Sequence, residues 1–349
     1  MSLFEHKEFD GHEEVVFCHD KETGLKAIIA VHDTTMGPSL GGTRMWNYAN
    51  SDEALTDVLR LSRGMTYKSA LAGLPLGGGK AVIIADAKKD KSEALFQAYG
   101  RFVNSLGGKY ITAEDVNIRT ADIDIVATQT AHVAGTGNKA GDPSPHTARG
   151  SYLGVKAAAK HAFGNDSLKG LRISVQGLGS VGYDFARYMA DEGAQLVVCD
   201  VNQESVDRAV KELGAEAVSV DDIYDADVDI YAPCALGATV NDDTLSRLKA
   251  KVIAGSANNQ LATPEHDRKV KDMGILYAPD YVINAGGVIH VCSEAANMTL
   301  EETAKRVDAI YGTLDEIFSR AKADNRPTGE IADEMAREIL AKKAAEQSA

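Results

Sequence analysis

Two lysines and one aspartate have the types and spacing for proton chemistry. Lys68 stands in GMTYK, and Lys80 closes the glycine triplet 77–79, directly before the apolar run AVIIA. A lysine set against apolar chain is costly to keep charged without a partner. Burial or a neighbouring cation makes such an amine a base usable near neutral pH, and Lys68 is the cation offered here. Asp115 follows in the small-residue context TAEDV. A plainer reading has both lysines exposed and Asp115 capping a helix, and composition does not separate the two.

A second constellation suits a nucleotide. Gly177, Gly179 and Gly182 form GLGSVG, directly after the strand-like LRISVQ and at the start of the helical VGYDFARYMADEG. Such glycines permit a tight turn and bring backbone N–H groups close to a pyrophosphate at a helix N-terminus. Asp200 ends the next apolar run, QLVVCD, where a carboxylate accepts from ribose hydroxyls and repels a 2′-phosphate. Val201 and Asn202 supply no arginine for such a phosphate, so the pattern points to NAD over NADP. An unrelated glycine turn followed by a solvated acid is the weaker reading, because strand, helix and acid all accompany the glycines.

These groups need elements to hold them. Strand-like runs cover 15–18 and 25–31. Ser51 is placed to cap a helix with Asp52 and Glu53 in its first turn and Leu55, Val58, Leu59 and Ser62 on one face, running toward Met65 and Lys68. The triplet 77–79 reads as a turn before a buried strand, and Leu95, Tyr99, Phe102 and Leu106 mark a second helix. Residues 135–150, GTGNKAGDPSPHTARG, have the composition of a linker. Beyond them, a helix with Val155, Ala158 and Ala159 precedes strands and helices that alternate through VDIYAP, KVIAG and GILYAP, as in a doubly wound parallel sheet. From Thr328, Ile331, Met335 and Ile339 recur four apart, with acids early and Lys342 and Lys343 late, which signals a last helix.

The 349 residues suit two domains. A net charge of -14, with no basic stretch to offset it, argues against nucleic acid and anionic membrane as partners. No run approaches a membrane span, and the polar, acidic opening MSLFEHKEFDGHEE is unlike a secretory leader. Cys18, Cys199, Cys234 and Cys292 are far apart and form no CxxC. They read as reduced thiols of a cytoplasmic protein, with no metal site.

The segments GPSLGGTRMW, GMTYK, AGLPLGGGK, ITAEDV, VQGLGSVG, APCALGA, IAGSANNQL and YAPDYVINAGG occur in the order seen in the glutamate/leucine/phenylalanine/valine dehydrogenase family, which the chain resembles over nearly its whole length. The resemblance implies an α/β substrate-binding and oligomerisation domain (1–140), a doubly wound Rossmann-type NAD-binding domain (141–325) with a cleft between the two, and a C-terminal helix (326–349) packing back on the first. It implies oxidative deamination of an amino acid to a 2-oxo acid and ammonia, and a homo-octamer. Lys68 would bind the substrate carboxylate, Lys80 would activate water, and Asp115 would exchange protons with the substrate nitrogen. Gly41, Gly42 and Met65 would border the substrate. Asn258 would help place both substrate and cofactor. The cofactor site would comprise Gly177, Gly179, Ser180, Val181, Gly182, Asp200, Thr147, Cys234, Ala235 and Asn284.

Side-chain selection is implied in the same way. Glutamate-specific members carry a lysine where Leu40 stands and a hydroxyl residue where Val291 stands. Leu40, Ala113, Val288 and Val291 would therefore line an aliphatic pocket that rejects a second carboxylate. Aromatic-specific members tend to have glycine at the position of Ala113. The expected substrates are leucine, isoleucine and valine. The alternatives are an aromatic amino-acid dehydrogenase and, in a different class, a non-catalytic NAD-binding regulatory protein. Four residues depart from the branched-chain pattern. Asn117 replaces a usual glycine, as aromatic members often do. His290 replaces Asn, His146 a small apolar residue, and Ser256 an alanine. Neither histidine is expected to act chemically.

Overall fold

The computed structural model describes residues 3–137, 141–296 and 298–348. They divide into two compact units. One is drawn from Met1–Gly141, Val291–Met298 and Ala336–Ala349; the other is drawn from Asp142–His290 and Thr299–Met335.

The first unit contains β1 (Glu14–Asp20), β2 (Leu25–Asp33), β3 (Ser39–Trp46), α1 (Ser51–Leu71), β4 (Gly77–Ile84), α2 (Glu93–Ser105), β5 (Tyr110–Glu114) and α3 (Thr120–Ala127). The strands form a mixed sheet in the order β1-β2-β4-β3-β5. β1, β2 and β4 pair antiparallel, while β3 runs parallel to both β4 and β5. Alternating side chains serve two cores. Ile28, Ala30 and Val82 pack with Val58 and Leu59 of α1. Ile29, Val31, Met45, Ala81 and Ile83 pack on the other face with Leu95, Phe96 and Tyr99 of α2. Because both faces are covered, β2 is an almost unbroken apolar run.

Two expectations need correction, and one strand was not foreseen. The triplet 77–79 is strand, not turn. Its residues lack side chains because neighbours come too close: a Cβ on Gly78 would lie 2.0 Å from the Thr66 backbone nitrogen of α1. The GPSLGGTRMW segment, which carries no alternating signal, forms β3 between β4 and β5. The N-cap of α1 is Asn50, one residue earlier than Ser51; its side chain accepts from the Glu53 N–H.

The approach at Gly78 predicts that Gly78→Ala pushes α1 off the sheet. The expected cost is about 1–3 kcal/mol or more, as for other overpacked sites. An unchanged denaturation midpoint would show that the helix can retreat freely.

The second unit contains α4 (Ser144–Phe163), β6 (Arg172–Gln176), α5 (Ser180–Asp191), β7 (Gln195–Cys199), α6 (Gln203–Leu213), β8 (Glu216–Ala217), β9 (Ile230–Pro233), α7 (Asp242–Leu245), β10 (Val252–Ile253), α8 (Glu265–Asp272), β11 (Leu276–Tyr277), α9 (Asp280–Ile283), α10 (Gly286–Ala295), α11 (Leu300–Asp324) and the start of α12 (Thr328–Ser348). α10 and α12 continue into the first unit. All six strands are parallel, in the order β11-β10-β9-β6-β7-β8. The strand order reverses between β6 and β9, which is the doubly wound arrangement expected.

The linker composition at 135–150 is only partly a linker. α4 already begins at Ser144, with proline in its first turn, where the missing N–H costs nothing. Residues 138–140 of that stretch lie outside the described residues. In the far part of α12, Arg337 Nη1 donates to the Tyr67 hydroxyl (3.2 Å) and Gln347 Nε2 donates to the Thr35 carbonyl (2.9 Å). Among the described residues no helix is long and apolar enough to cross a membrane.

Candidate active site

In the first unit the chemistry stands on three neighbouring strands. Leu40 lies opposite Gly78 of β4 and Ile111 of β5, and Gly42 lies opposite Ala113. Lys80 pairs with Ala30, whose side chain belongs to the α1 core, so Lys80 shares that face. The period of two puts Leu40, Gly42 and Arg44 on the same face. Thr43 turns the other way, where its hydroxyl bonds Tyr99 and Thr112, each at 2.6 Å. Gly42 lies between Lys80 and Ala113, and the Glu114 carbonyl takes the place of its side chain: a Cβ there would lie 2.2 Å from that oxygen. Gly41 faces the opposite side, against Gly79, and its carbonyl accepts from the Tyr110 hydroxyl (2.6 Å).

Asp115 follows the end of β5. Lys80 Nζ lies 2.9 Å from its Oδ2, and Arg44 Nε lies 3.1 Å from the same oxygen. Lys80 is only 6% exposed. Burial works to raise the Asp115 pKa, but Lys80 and then Arg44 outweigh it and hold the carboxyl below its usual range. Arg44 also reaches Asp57 of α1, Nη1 to Oδ2 at 2.9 Å, and the Tyr48 hydroxyl donates to that same oxygen (2.6 Å).

Arg44 is the charged group that sequence reasoning missed. Arg44, on an adjacent strand, is a cation beside the Lys80–Asp115 pair. Its signal was the spacing Leu40–Gly42–Arg44, legible only once the segment is read as a strand. Lys68 and Met65 lie three apart in the last two turns of α1, both half-buried. Leu40 is 2% exposed, and Ala113 is half-buried. Val288 and Val291 lie three apart on α10, also half-buried.

Asn117 has a φ of 62°, in the left-handed region, and its Nδ2 donates to the Met45 carbonyl (3.0 Å). Glycine and asparagine are the residues that tolerate this backbone best. The departure from glycine thus keeps the turn conformation. The two unusual histidines form one feature: the rings of His146 and His290 stack at 4.6 Å, 17° from parallel. Burial, and then His290, lower the His146 pKa.

In the second unit the nucleotide features collect at the carboxyl ends of β6 and β9, where the strand order reverses and doubly wound sheets hold their ligands. Gly177 follows β6 with φ 103°, and a Cβ there would lie 2.7 Å from Ala235 Cβ. Cys234 and Ala235 follow β9. Gly179 is the N-cap of α5, makes no side-chain cap bond, and has open space where a Cβ would be. Ser180 and Val181 begin that helix. Gly182 packs against the Gly177 carbonyl, 2.1 Å from where its Cβ would stand. Asp200 does more than wait for a ribose: Oδ2 accepts from the Leu178 N–H (2.5 Å) and Oδ1 from the Asn202 N–H (2.8 Å). It therefore ties the glycine loop to β7, while each oxygen keeps a lone pair for a hydroxyl.

Asn284 Nδ2 donates to Asn258 Oδ1 (2.7 Å) and to the Ser256 carbonyl (3.2 Å). The Thr147 hydroxyl, in the first turn of α4, donates to the Pro143 carbonyl and lies 2.8 Å from where a Gly287 Cβ would be. The open cradle at Gly179, the uncapped helix start and the carboxylate at the end of β7 fit a dinucleotide.

Comparison with known proteins gives two family matches: residues 12–132 to the Glu/Leu/Phe/Val dehydrogenase dimerisation domain, and residues 199–326 to Glutamate/Leucine/Phenylalanine/Valine dehydrogenase. The chain is 56% identical over 343 residues to leucine dehydrogenase of Geobacillus stearothermophilus, covering 97% of this chain and 94% of that one. It is 47% identical over 341 residues to L-tryptophan dehydrogenase of Nostoc punctiforme, covering 97% and 96%. The crystal structure of the tryptophan enzyme matches with a TM-score of 0.89 and 44% identity, covering 98% of this chain and all of that one.

Proposed function

Because this chain belongs to the glutamate/leucine/phenylalanine/valine dehydrogenase family, we propose that Lys68, Lys80 and Asp115 carry out the hydrolytic half of its oxidative deamination. The protein is an NAD-dependent dehydrogenase of branched-chain L-amino acids. The amino acid, NAD⁺ and water become the 2-oxo acid, ammonium, NADH and one proton. The observation that carries the assignment is the ion pair of Lys80 with Asp115, just past β5, where Gly42 lets the Glu114 carbonyl come close.

NAD, when bound, supplies the acceptor for the α-hydride; Gly177, Gly179, Ser180, Val181 and Gly182 hold its pyrophosphate, and Asp200 its ribose. Thr147, Cys234, Ala235, Asn258 and Asn284 border the same cofactor. The rest is done by the chain's own groups. Lys68 fixes the substrate carboxylate. Asp115 takes a proton from the α-ammonium. Lys80, once its ammonium has released a proton to solvent, takes a proton from water as the water oxygen attacks the imine carbon. Asp115 then returns its proton to nitrogen, the C–N bond breaks, and ammonia leaves as the carbonyl forms and the hydroxyl proton passes to solvent. Such chemistry is reversible, so the same groups serve amination.

Leu40, Met65, Ala113, Val288 and Val291 form the side-chain pocket in this reading. It offers no partner to a second carboxylate, which excludes glutamate. A substrate panel with NAD tests it. Leucine, isoleucine and valine are turned over best and within about 200-fold of each other, since one methylene is worth about 1–3 kcal/mol. Methionine follows at a distance and phenylalanine is poor. Ala113→Gly raises phenylalanine relative to leucine. The aromatic reading rests on the similarity to the tryptophan enzyme; wild-type turnover of phenylalanine or tryptophan faster than leucine would establish it. We further place the protein in the cytoplasm as a homo-octamer, a state that light scattering reads directly.

A further inference from the structure

Lys80 and Arg44 reach Asp115 from different strands, yet both meet one oxygen, Oδ2. A single cation on a carboxylate leaves the group free to rotate about its Cβ–Cγ bond. Two cations from two directions on the same atom fix its plane. Arg44 is itself fixed, because its planar guanidinium also engages Asp57, and Tyr48 holds Asp57 by the oxygen Arg44 uses. Asp57 comes from α1, Arg44 from β3 and Lys80 from β4, so three elements converge on one carboxylate. A proton could settle on Oδ2 only by displacing both cations, and the contact of each cation is made at Oδ2.

We propose that Arg44 is a positioning residue: with Lys80 it occupies Oδ2 of Asp115, so that Oδ1 is the oxygen that exchanges a proton with the substrate nitrogen, and Asp57 tempers the charge that Arg44 presents. This rests on the assignment of Asp115 given above. In the transfer, an N–H bond of the α-ammonium breaks and an O–H bond forms at Oδ1. The later return reverses this at the leaving nitrogen, with no other reactant.

The charged and titratable groups facing Asp115 are Lys80 from β4, Arg44 from β3 with Asp57 and Tyr48 behind it, and Tyr110 from β5. The acid limb of kcat/KM reports proton exchange at Asp115, whose carboxyl Lys80 and then Arg44 hold down against burial. Removing a cation raises it and removing a nearby carboxylate lowers it.

The test compares Arg44→Gln, Arg44→Lys and Asp57→Asn with wild type, each confirmed folded by circular dichroism. Arg44→Gln is expected to move the acid limb up by about one pH unit and to lower kcat roughly tenfold or more, with KM for leucine little changed. Asp57→Asn moves the limb the opposite way. Arg44→Lys restores the limb, because it restores the charge, but not kcat, because it lacks the fork. Limbs that stay in place, or that move in the same direction in Arg44→Gln and Asp57→Asn, would reduce Arg44 to a packing role and overturn the proposal. Should no amino acid support NADH formation in wild type, the dehydrogenase assignment fails separately. The carboxyl ¹³C titration of Asp115 in the same proteins, identified by its loss in Asp115→Asn, then decides: opposite shifts uphold the Arg44–Asp57 control, and no shifts end it.

Discussion

Lys80→Ala abolishes turnover, lowering kcat by about three to four orders of magnitude, while NAD still binds with nearly unchanged affinity. The size follows from removing the only base assigned to water, a loss at the upper end of what general acid–base catalysis contributes. The second half of the expectation follows from the fold. Lys80 stands on β4 of the first unit, and the glycine loop stands between β6 and α5 of the second. The protein also tolerates the change. Asp115, 24% exposed at its side chain, keeps Arg44 as a counter-charge and is not left buried and unpaired. Stopped-flow turnover and fluorescence titration with NADH make the comparison. A Lys80→Ala enzyme that retained most of its kcat would refute the assigned roles.

NAD is used with a kcat/KM at least about 100-fold above that of NADP, because Asp200 offers acceptors to ribose hydroxyls and like charge to a 2′-phosphate. The dual role of Asp200 decides how to probe this. Alanine there would also release the Leu178 and Asn202 N–H groups and loosen the loop. Asp200→Asn keeps an acceptor for the loop but removes the charge, and should raise the NADP-to-NAD ratio by about tenfold, or 1.4 kcal/mol. Equal efficiency with both cofactors in the wild type would overturn the ribose assignment.

The two units differ in how far they could be read from sequence. The second was legible because parallel βα units write themselves locally: LRISVQ, GLGSVG, VGYDFARYMADEG and QLVVCD stand in chain order as strand, loop, helix and strand. In the first, the strands that matter most for chemistry carry glycine where the pattern would show side chains. β3 contains Gly41 and Gly42, and β4 opens with three glycines. The packing that demands those glycines, the Thr66 backbone against Gly78 and the Glu114 carbonyl against Gly42, is tertiary and leaves no periodic trace. Missing β3 meant missing Arg44, since only the strand's alternation aligns it with Leu40 and Gly42. Lys80 and Asp115 were nameable as residue types, but their shared ion pair depends on β5 lying beside β3, a pairing of segments about seventy residues apart. Asn117 shows the reverse case: a residue weighed as evidence on specificity answers to a backbone angle.

The hydrogen bonds from Arg337 to Tyr67 and from Gln347 to Thr35 join the first unit across roughly 270 and 312 positions of chain. During synthesis these bonds cannot form until the later segment has left the ribosome. The second unit, by contrast, takes its sheet from neighbouring stretches between Arg172 and Tyr277. Its core has all its strands while residues 336–348 are still to be made. The sheet of the nucleotide-binding half is therefore complete in sequence well before the half that carries Lys80 and Asp115 receives its last segment.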